Sequence, residues 1–371
     1  MTAGPHDLAT IVRHFAIEGR FLGAAPYGTG HINDTYASRW ERDGHEFRVI
    51  QQRINHKVFP DPPRLMENID RVTRHIRAKL AAAADPDAAR GTLTIIPTRE
   101  GRLYHRDAEG NFWRSYVFIE GARTYDICPG PEQAREAACA FGRFQHHLAD
   151  LPGGPLFETI PFFHHTPRRL AALEQALERD VANRAASARP EIEFALARKP
   201  MTAVITDGLE QGTLPVRVTH NDTKLNNVML DDRTGRGVCV IDLDTVMNGS
   251  VLYDFGDMVR TCAREGAEDE RDLARVRFLP ERFAALVAGY WESAGAFLTP
   301  RETELLAFSA RLITFTIGIR FLTDYLAGDV YFKIHRPGHN LDRARVQFKL
   351  LAEMEAAEEQ MQALVRRHTG C

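Results

Sequence analysis

The stretch Val218–Thr245, VTHNDTKLNNVMLDDRTGRGVCVIDLDT, decides how the rest of this chain is interpreted. It contains the spaced motif His220-x-Asp222-x-x-x-x-Asn227, and a strand-like apolar run then leads directly to Asp242. Asp222 is a carboxylate free to act as a base, while Asn227 and Asp242 carry oxygens that can hold a cation. Phosphoryl transfer from ATP needs these parts, because a hydroxyl must be oriented and Mg²⁺ must bridge the phosphates. The stretch therefore predicts ATP- and Mg²⁺-dependent phosphoryl transfer, with Asp222 as the catalytic base and Asn227 and Asp242 as metal ligands.

Charge and composition narrow the class of partner. The chain has 371 residues, enough for two domains or for one domain divided into lobes. Its 47 basic and 50 acidic residues are well mixed and give a net charge of −3. This balance argues against nucleic acid or an anionic membrane as partner. We expect the partners to be ATP and a small polar acceptor.

Targeting and redox features favour a cytoplasmic protein. We expect no membrane-spanning helix, because no apolar run approaches the roughly 18 residues that such a helix needs. The N-terminus also lacks the basic and apolar regions of a signal peptide. The five cysteines are scattered and free of CxxC spacing, so we expect reduced thiols and neither a disulfide framework nor a zinc site.

The order of elements predicts the fold class. Residues 1–120 read as strand, glycine turn, strand, strand, amphipathic helix and further strands, two of them at 92–97 and 111–120. Beyond residue 131 the pattern turns helical, with helices predicted at 167–184, 192–211, 280–294, 301–326 and 342–367. This order predicts an α+β, bilobal protein-kinase-like fold. Its N-lobe (1–120) has a small antiparallel sheet with one main helix, and its C-lobe (121–371) is larger and mostly helical.

A glycine turn lies where such a fold places its phosphate-covering loop. Gly28 and Gly30 precede a predicted strand, and His31 follows them directly. Taken alone, Gly-x-Gly is an ordinary hairpin turn, and a histidine beside a turn is usually solvated. Because the turn precedes the central stretch in the expected order, we predict that Gly28 and Gly30 cover ATP and that His31 faces the acceptor.

Two further positions are predicted to contact the nucleotide. Gln51 lies where a lysine is expected on the third strand, and Arg53 follows two residues later on the same face. Either Arg53 takes over the phosphate charge, or it is an exposed strand arginine. Glu120 ends the apolar strand Tyr116–Gly121, which we interpret as the hinge that meets adenine.

The helical half contributes a brace and an acceptor pocket. The string Tyr253-Asp-Phe-Gly-Asp257 lies too far beyond the central stretch to be a metal-binding triad, so we predict that Asp254 and Asp257 begin a helix that braces the catalytic loop. Arg320 and Asp324 interrupt an otherwise apolar helix. They form either an intrahelical ion pair or, with Tyr331, a polar substrate pocket suited to a sugar.

These motifs together resemble a known group. The glycine turn, the Glu-Gly hinge, His220-x-Asp222-x-x-x-x-Asn227 and Ile241-Asp242 resemble the aminoglycoside phosphotransferase and choline kinase superfamily. Longer strings resemble one branch of it, the N-acetylhexosamine 1-kinases. These strings are His31 after the turn, VIQQRIN (49–55), LMENI (65–69), THNDTKLNN (219–227), IDLDTV (241–246) and RFLTD (320–324).

The resemblance implies a reaction and a division of roles. It implies ATP in the cleft and transfer of its γ-phosphate to the anomeric hydroxyl of N-acetylglucosamine or N-acetylgalactosamine. Asp222 would be the base and Asn227 and Asp242 the Mg²⁺ ligands, with His31, Arg320 and Tyr331 near the sugar. The chain departs from the wider kinase pattern at Gln51, which replaces lysine, and at Leu243, where an aromatic residue is commoner.

Two alternatives stay open: a kinase for another acceptor, and a nucleotide-binding protein without catalysis. The same fold and chemistry could serve an amino alcohol, homoserine, an aminoglycoside or another sugar. A protein kinase is disfavoured, because no Ala-Pro-Glu string or long activation segment follows Asp242. A nucleotide-binding protein that has lost catalysis gains some support from Gln51, but the intact Asp222, Asn227 and Asp242 argue against it.

Overall fold

The fold is α+β, as the order of elements predicts. A computed structural model describes residues 6–28, 30 and 32–370. The N-terminal elements are α1 (Leu8–Ile11), β1 (Arg20–Pro26), β2 (Asp34–Arg42), β3 (His45–Ile54), α2 (Pro62–Ala82), β4 (His105–Arg106) and β5 (Phe112–Val117). The remaining elements are β6 (Ala122–Arg123), α3 (Pro131–Leu148), α4 (Thr166–Arg179), α5 (Arg189–Leu196), α6 (Val204–Glu210), β7 (Arg217–Thr219), β8 (Val228–Asp231), β9 (Gly237–Val240), β10 (Met247–Gly249), α7 (Val251–Cys262), β11 (Arg264–Glu265), β12 (Arg277–Phe278), α8 (Pro280–Ala294), α9 (Pro300–Glu304), α10 (Leu306–Leu326), α11 (His339–Ala356) and α12 (Glu358–Thr369).

The N-terminal lobe is built on one antiparallel sheet. Its strands lie in the order β1-β2-β3-β5-β4. The β2–β3 hairpin turns through Asp43 and Gly44, both with positive φ (53° and 78°), which gives the twist that a two-residue hairpin requires. The predicted strand at 92–97 is wrong. Only Ile95 forms an isolated bridge, to Tyr116, so this segment runs along the edge of the sheet without joining it as a strand.

The two faces of β3 have different neighbours, and this corrects the assignment of Gln51. Val49 and Trp113 pack with Phe15 in a small core that covers the outer face of the sheet. Gln51 shares that face, is fully buried and donates to the Ser115 hydroxyl (3.3 Å). Because side chains alternate along a strand, Gln52 is the residue that faces inward, and Gln51 is not placed to contact a nucleotide in the cleft.

Arg53 lies on the same outer face as Gln51. Its guanidinium donates to Asp34 on the neighbouring strand (2.6 Å) and to Asn111 (3.5 Å). The charge is therefore matched by a carboxylate within the sheet. These contacts favour the alternative in which Arg53 is a structural arginine of the strand over the one in which it binds phosphate.

The main N-terminal helix, α2, is fixed to both lobes. Asp61 caps it by accepting from the backbone amide of Arg64 (3.2 Å), next to Pro62 in the first turn. Its apolar face packs into the principal core. Asn68, fully buried on that face, donates to the backbone carbonyls of Phe157 (2.8 Å) and Val246 (3.1 Å).

The helical lobe differs from the sequence prediction mainly in where helices break. The predicted helix at 280–294 matches α8. The one at 301–326 divides into α9 and α10, because Thr299 and Glu302 form a capping box that begins a separate short helix. The segments at 192–211 and 342–367 likewise each divide into two helices.

One apolar helix corrects the expectation about membrane spans. Helix α10 is long and apolar enough to cross a membrane, with a mean hydropathy of 1.4. In the folded chain 78% of this window is buried against the protein's own helices. The hydrophobicity of α10 is therefore explained by its place in the core.

Candidate active site

The catalytic loop is held by one buried carboxylate. Asp254, in the first turn of α7, accepts from the backbone amides of His220 (2.8 Å) and Asn221 (2.7 Å). Burial raises the pKa of Asp254, while His220 and these hydrogen bonds act in the opposite direction. The prediction that Asp254 braces the loop is confirmed, although Ser250 rather than Asp254 caps α7.

Asp254 is itself fixed from the far side by two other helices. Gln145 of α3 donates to its carboxylate (2.6 Å), and Tyr290 of α8 donates to the Gln145 carbonyl oxygen (2.5 Å). All three side chains are buried. A continuous polar chain therefore runs from the core helices to the backbone of the catalytic loop.

The loop backbone adopts a conformation that needs such support. Asn221 has φ 66°, in the left-handed region that non-glycine residues rarely occupy. Its side-chain amide donates to the carbonyl of Thr245 (2.9 Å). His220 lies between the rings of Phe141 and Phe144 and donates from Nε2 to the carbonyl of Ile241 (2.9 Å), so it is a structural residue of the loop.

Asp222 is presented toward solvent beside a lysine. Its side chain is 25% exposed, and Lys224 Nζ lies 3.0 Å from Oδ2. Burial alone would raise the pKa of Asp222, but the ammonium of Lys224 and the guanidinium of Arg260 outweigh it and hold the pKa below the ordinary value. Asp222 is therefore ionised at neutral pH and can accept a hydrogen bond from a hydroxyl.

A backbone hydrogen bond joins the segments that carry the two proposed metal ligands. The backbone amide of Ile241 donates to the carbonyl of Asn227 (2.9 Å), which sets Asp242 beside Asn227 at the ends of β8 and β9. The Asn227 amide nitrogen donates to Asp222 Oδ2 (3.1 Å). Its amide oxygen is thus the atom suited to a cation.

Electrostatics at Asp242 fit a divalent cation. Burial, followed by the nearby carboxylates of Asp244 and Asp222, raises the pKa of Asp242 to about 7. Such crowding of carboxylates is what a bound cation relieves. With phosphate oxygens, Asn227 and Asp242 would form the oxygen-rich ligand set that Mg²⁺ prefers.

Sequence reasoning missed the partners of Asp244. Its carboxylate is ion-paired with Arg114 of β5, and the two side chains are 2% and 1% exposed. Asn33, just after the glycine turn, donates to the other carboxylate oxygen (2.6 Å). Only a three-dimensional structure could reveal this contact, since the residues lie 130 and 211 positions from Asp244.

The nucleotide side is only partly described. Gly28 has φ 79°, and apart from chain neighbours no described atom lies within 4 Å of where a Cβ of Gly28 or Gly30 would lie. His31 lies outside the described residues. Glu120, next to the hinge glycine Gly121, is exposed and ion-paired with Arg48 (2.9 Å). Contact of Gly28, Gly30 and Glu120 with ATP stays a prediction.

Arg320 is enclosed by aromatic rings rather than by acids. The guanidinium carbon lies 5.1 Å from the Phe163 ring centre, 5.4 Å from that of Phe332 and 6.0 Å from that of Tyr331. The Tyr331 side chain raises the pKa of Arg320, and no described carboxylate forms an ion pair with this guanidinium. The predicted intrahelical pair with Asp324 is therefore not formed.

A second arginine lies in the same place. Arg169 donates to the carbonyl of Phe163 (2.9 Å). Burial and the nearby Arg320 lower the pKa of Arg169 to about 10. Burial likewise lowers the pKa of Arg320, while the Tyr331 hydroxyl and Asp222 act in the opposite direction. The region around Phe163 thus holds two positive charges that no described carboxylate pairs with.

Asp324 has a supporting position. It is buried and accepts from the backbone amides of Val330 (2.9 Å), Tyr331 (2.8 Å) and Phe332 (2.9 Å), and from Asn340 (2.9 Å). The carboxylate thereby fixes the loop that carries Tyr331. These contacts indicate that Asp324 positions the pocket rather than touching the substrate.

A histidine not predicted from the sequence links this region to the catalytic loop. His164 donates from Nε2 to the carbonyl of Asn221 (2.8 Å). Burial lowers the pKa of His164 to about 4, so the ring is neutral at physiological pH. Its neighbour Phe163 packs on Arg320. The Thr159–His165 segment carried no motif that would have identified it.

Comparison with known proteins agrees with this geometry. Residues 23–290 match the profile of the phosphotransferase enzyme family. The chain belongs to this family. Its members transfer phosphate to a hydroxyl acceptor, and this chain is a small-molecule phosphotransferase of that family.

Solved structures share the fold at low sequence identity. A microcompartment-associated aminopropanol kinase has a TM-score of 0.57 at 15% identity, covering 95% of this chain and 96% of that one. An aminoglycoside phosphotransferase from Alicyclobacillus acidocaldarius has a TM-score of 0.58 at 13% identity, covering 100% and 98%. A spectinomycin phosphotransferase in complex with ADP and spectinomycin has a TM-score of 0.52 at 13% identity, covering 96% and 100%.

The first prediction concerns the catalytic base of this phosphotransferase. Asp222→Asn should lower kcat by a factor on the order of 10²–10⁴, because an amide cannot accept the proton of the attacking hydroxyl. ADP affinity should change by less than about threefold, since the side chain does not support the hinge. Steady-state kinetics and calorimetry measure the two quantities. Turnover close to wild type would contradict the assignment.

The second prediction separates the two ring nitrogens of His164. Glutamine can place an N–H near the Nε2 position and keep the bond to Asn221, whereas asparagine places its amide near Nδ1 and loses that bond. His164→Asn should lower kcat roughly tenfold or more, and His164→Gln should retain most of it. Equal kinetics of the two folded variants would show that the bond does not position the loop.

Proposed function

We propose that this chain is an ATP-dependent, Mg²⁺-dependent kinase that phosphorylates the anomeric hydroxyl of N-acetylglucosamine or N-acetylgalactosamine. The observation that carries the reaction type is that Asp222, Lys224 and Asn227 share one loop and that the backbone bond from Ile241 to Asn227 brings the segment of Asp242 next to it. The observation that favours this acceptor is Arg320, which pairs with no described carboxylate and lies within the electrostatic influence of Asp222. The sequence strings that resemble N-acetylhexosamine 1-kinases support the same choice.

Use of ATP is supported from two sides. The related spectinomycin phosphotransferase was solved with ADP. In this chain, the glycine turn and the segment around Glu120 would flank the ATP cleft, and Asn227 and Asp242 would lie at its inner end. Mg²⁺, when bound, would supply the charge that offsets the phosphates.

The charge of the acceptor region supports a neutral acceptor. Arg169 and Arg320 keep two positive charges in the predicted acceptor region, and burial lowers the pKa of both arginines. An amino alcohol or an aminoglycoside would bring further positive charge into this space at a large electrostatic cost. An acetamido group has a carbonyl that can accept from a guanidinium, and the ring of Tyr331 offers an apolar face for a sugar.

The chain's own groups account for the catalytic steps. Asp222, ionised and next to Lys224, accepts a hydrogen bond from the acceptor hydroxyl and takes its proton late in the transfer. Lys224 places positive charge where the transferred phosphoryl group must pass. The hydroxyl and the phosphate are held in line, so positioning supplies most of the rate enhancement.

A panel of acceptors tests the proposal. ATP consumption should depend on added N-acetylglucosamine or N-acetylgalactosamine, with little activity on choline, aminopropanol, homoserine or spectinomycin. Glucosamine should be a poorer substrate than N-acetylglucosamine by roughly 100-fold in kcat/KM, because it lacks the carbonyl and carries an ammonium group.

A matched variant controls this comparison. Arg320→Met should raise KM for N-acetylglucosamine, while KM for ATP stays near the wild-type value. The ratio of kcat/KM between N-acetylglucosamine and glucosamine should become smaller. A preference for a cationic acceptor would contradict the proposal. ADP binding without ATP consumption on any acceptor would instead favour a nucleotide-binding protein that has lost catalysis.

A further inference from the structure

The inward face of β3 lacks the lysine that kinase-like folds use to anchor phosphates. Along this face lie Arg48, Ile50, Gln52 and Ile54. Arg48 is ion-paired with Glu120 near the hinge and is stacked on a ring there. Gln52 is neutral, so β3 itself brings no cation to the inner end of the cleft.

The neighbouring strand, β5, brings a cation to this place instead. Arg114 of β5 lies directly opposite Gln52 in the sheet and donates to its side-chain carbonyl oxygen from Nε (2.9 Å) and from a terminal nitrogen (2.6 Å). The other terminal nitrogen donates to Asp244 of the helical lobe. This bond crosses from the N-terminal sheet to the segment that directly follows Asp242.

Two more N-terminal side chains reach the same segment. Asn33, which follows the glycine turn, donates to Asp244 Oδ2 (2.6 Å) and accepts from the backbone amide of Asn55 (2.9 Å). Asn68 of α2 donates to the carbonyl of Val246 (3.1 Å). Hydrogen bonds from Arg114 of the sheet, from Asn33 after the glycine turn and from Asn68 of α2 thus all reach residues 244–246.

We propose that Arg114 is the positioning residue that fixes the phosphate-covering side of the N-terminal lobe relative to the metal-binding segment. It does so through Asp244 and takes over the positioning role of the missing lysine. The inference rests on the kinase activity of the proposed function, but it is independent of which acceptor is used.

Burial explains why this contact is specific. Arg114 and Asp244 are almost fully shielded from water, so each charge depends on the other for compensation. The guanidinium also acts electrostatically on Asp242. Displacement of Arg114 therefore alters both the position of the glycine turn, through Asn33, and the charge balance around the metal ligand.

The test separates nucleotide binding from acceptor binding. Arg114→Met should weaken Mg·ADP binding at least tenfold by calorimetry and raise KM for ATP in parallel, while KM for the acceptor changes less than twofold. Arg71→Met is the matched control. Arg71 also joins α2 to the helical lobe, through the carbonyls of Pro152 (2.9 Å) and Gly154 (2.8 Å), but outside the cleft. This control should keep ADP affinity within twofold of wild type.

A milder variant covers the case in which Arg114→Met does not fold. Asn33→Ala removes the bonds of Asn33 to Asp244 and to the Asn55 backbone amide but leaves the Arg114–Asp244 ion pair in place, and Asn33 is half-buried. It should weaken ADP binding and raise KM for ATP about threefold to tenfold with little change in thermal stability. ADP affinity within twofold of wild type in Asn33→Ala would overturn the proposal, as would equal losses in folded Arg114→Met and Arg71→Met. Because ADP binding needs no acceptor, an error in the sugar assignment would leave this result unchanged.

Discussion

The buried carboxylate of Asp254 is the constraint on which the active site depends. A charged group without solvent must be compensated by donors, and here the donors are the backbone amides of the catalytic loop and the side chain of Gln145. Satisfying Asp254 therefore fixes the loop in a left-handed turn at Asn221 and presents Asp222 toward the cleft. The core helices determine the position of the base through a chain of hydrogen bonds.

Two further contacts extend this control in opposite directions. On the acceptor side, His164 holds the carbonyl of Asn221 and belongs to the segment whose Phe163 packs on Arg320. On the predicted nucleotide side, Asp244 follows the proposed metal ligand Asp242 and binds Arg114. The catalytic loop and the segment of Asp244 thus connect the predicted acceptor pocket with the N-terminal lobe. A reaction that depends on the alignment of two substrates requires such a connection.

Features that depend on residues close together in the sequence could be predicted, whereas contacts between residues far apart in the sequence could not. The helix α8 and the order of the N-terminal elements follow from local periodicity, and the catalytic motif follows from residue type and spacing. The failures are non-local. Residues 92–97 look like a strand but lie beside the sheet. Gln51 was placed at the position of the expected lysine, but its side chain lies on the outer face, because a shift of one residue along a strand reverses the face. Arg114 carries no sequence signal, since only pairing with Gln52 and Asp244 gives it a role.

The central claim is that the phosphate goes to the anomeric oxygen of an N-acetylhexosamine, and phosphorus NMR of the reaction product tests it most directly. The account predicts that, with N-acetylglucosamine or N-acetylgalactosamine and ATP, the product signal is coupled to the anomeric proton, and that Asp222→Asn abolishes its appearance on the same timescale. A product phosphorylated at O6, or transfer only to an amino alcohol or an aminoglycoside, would contradict it.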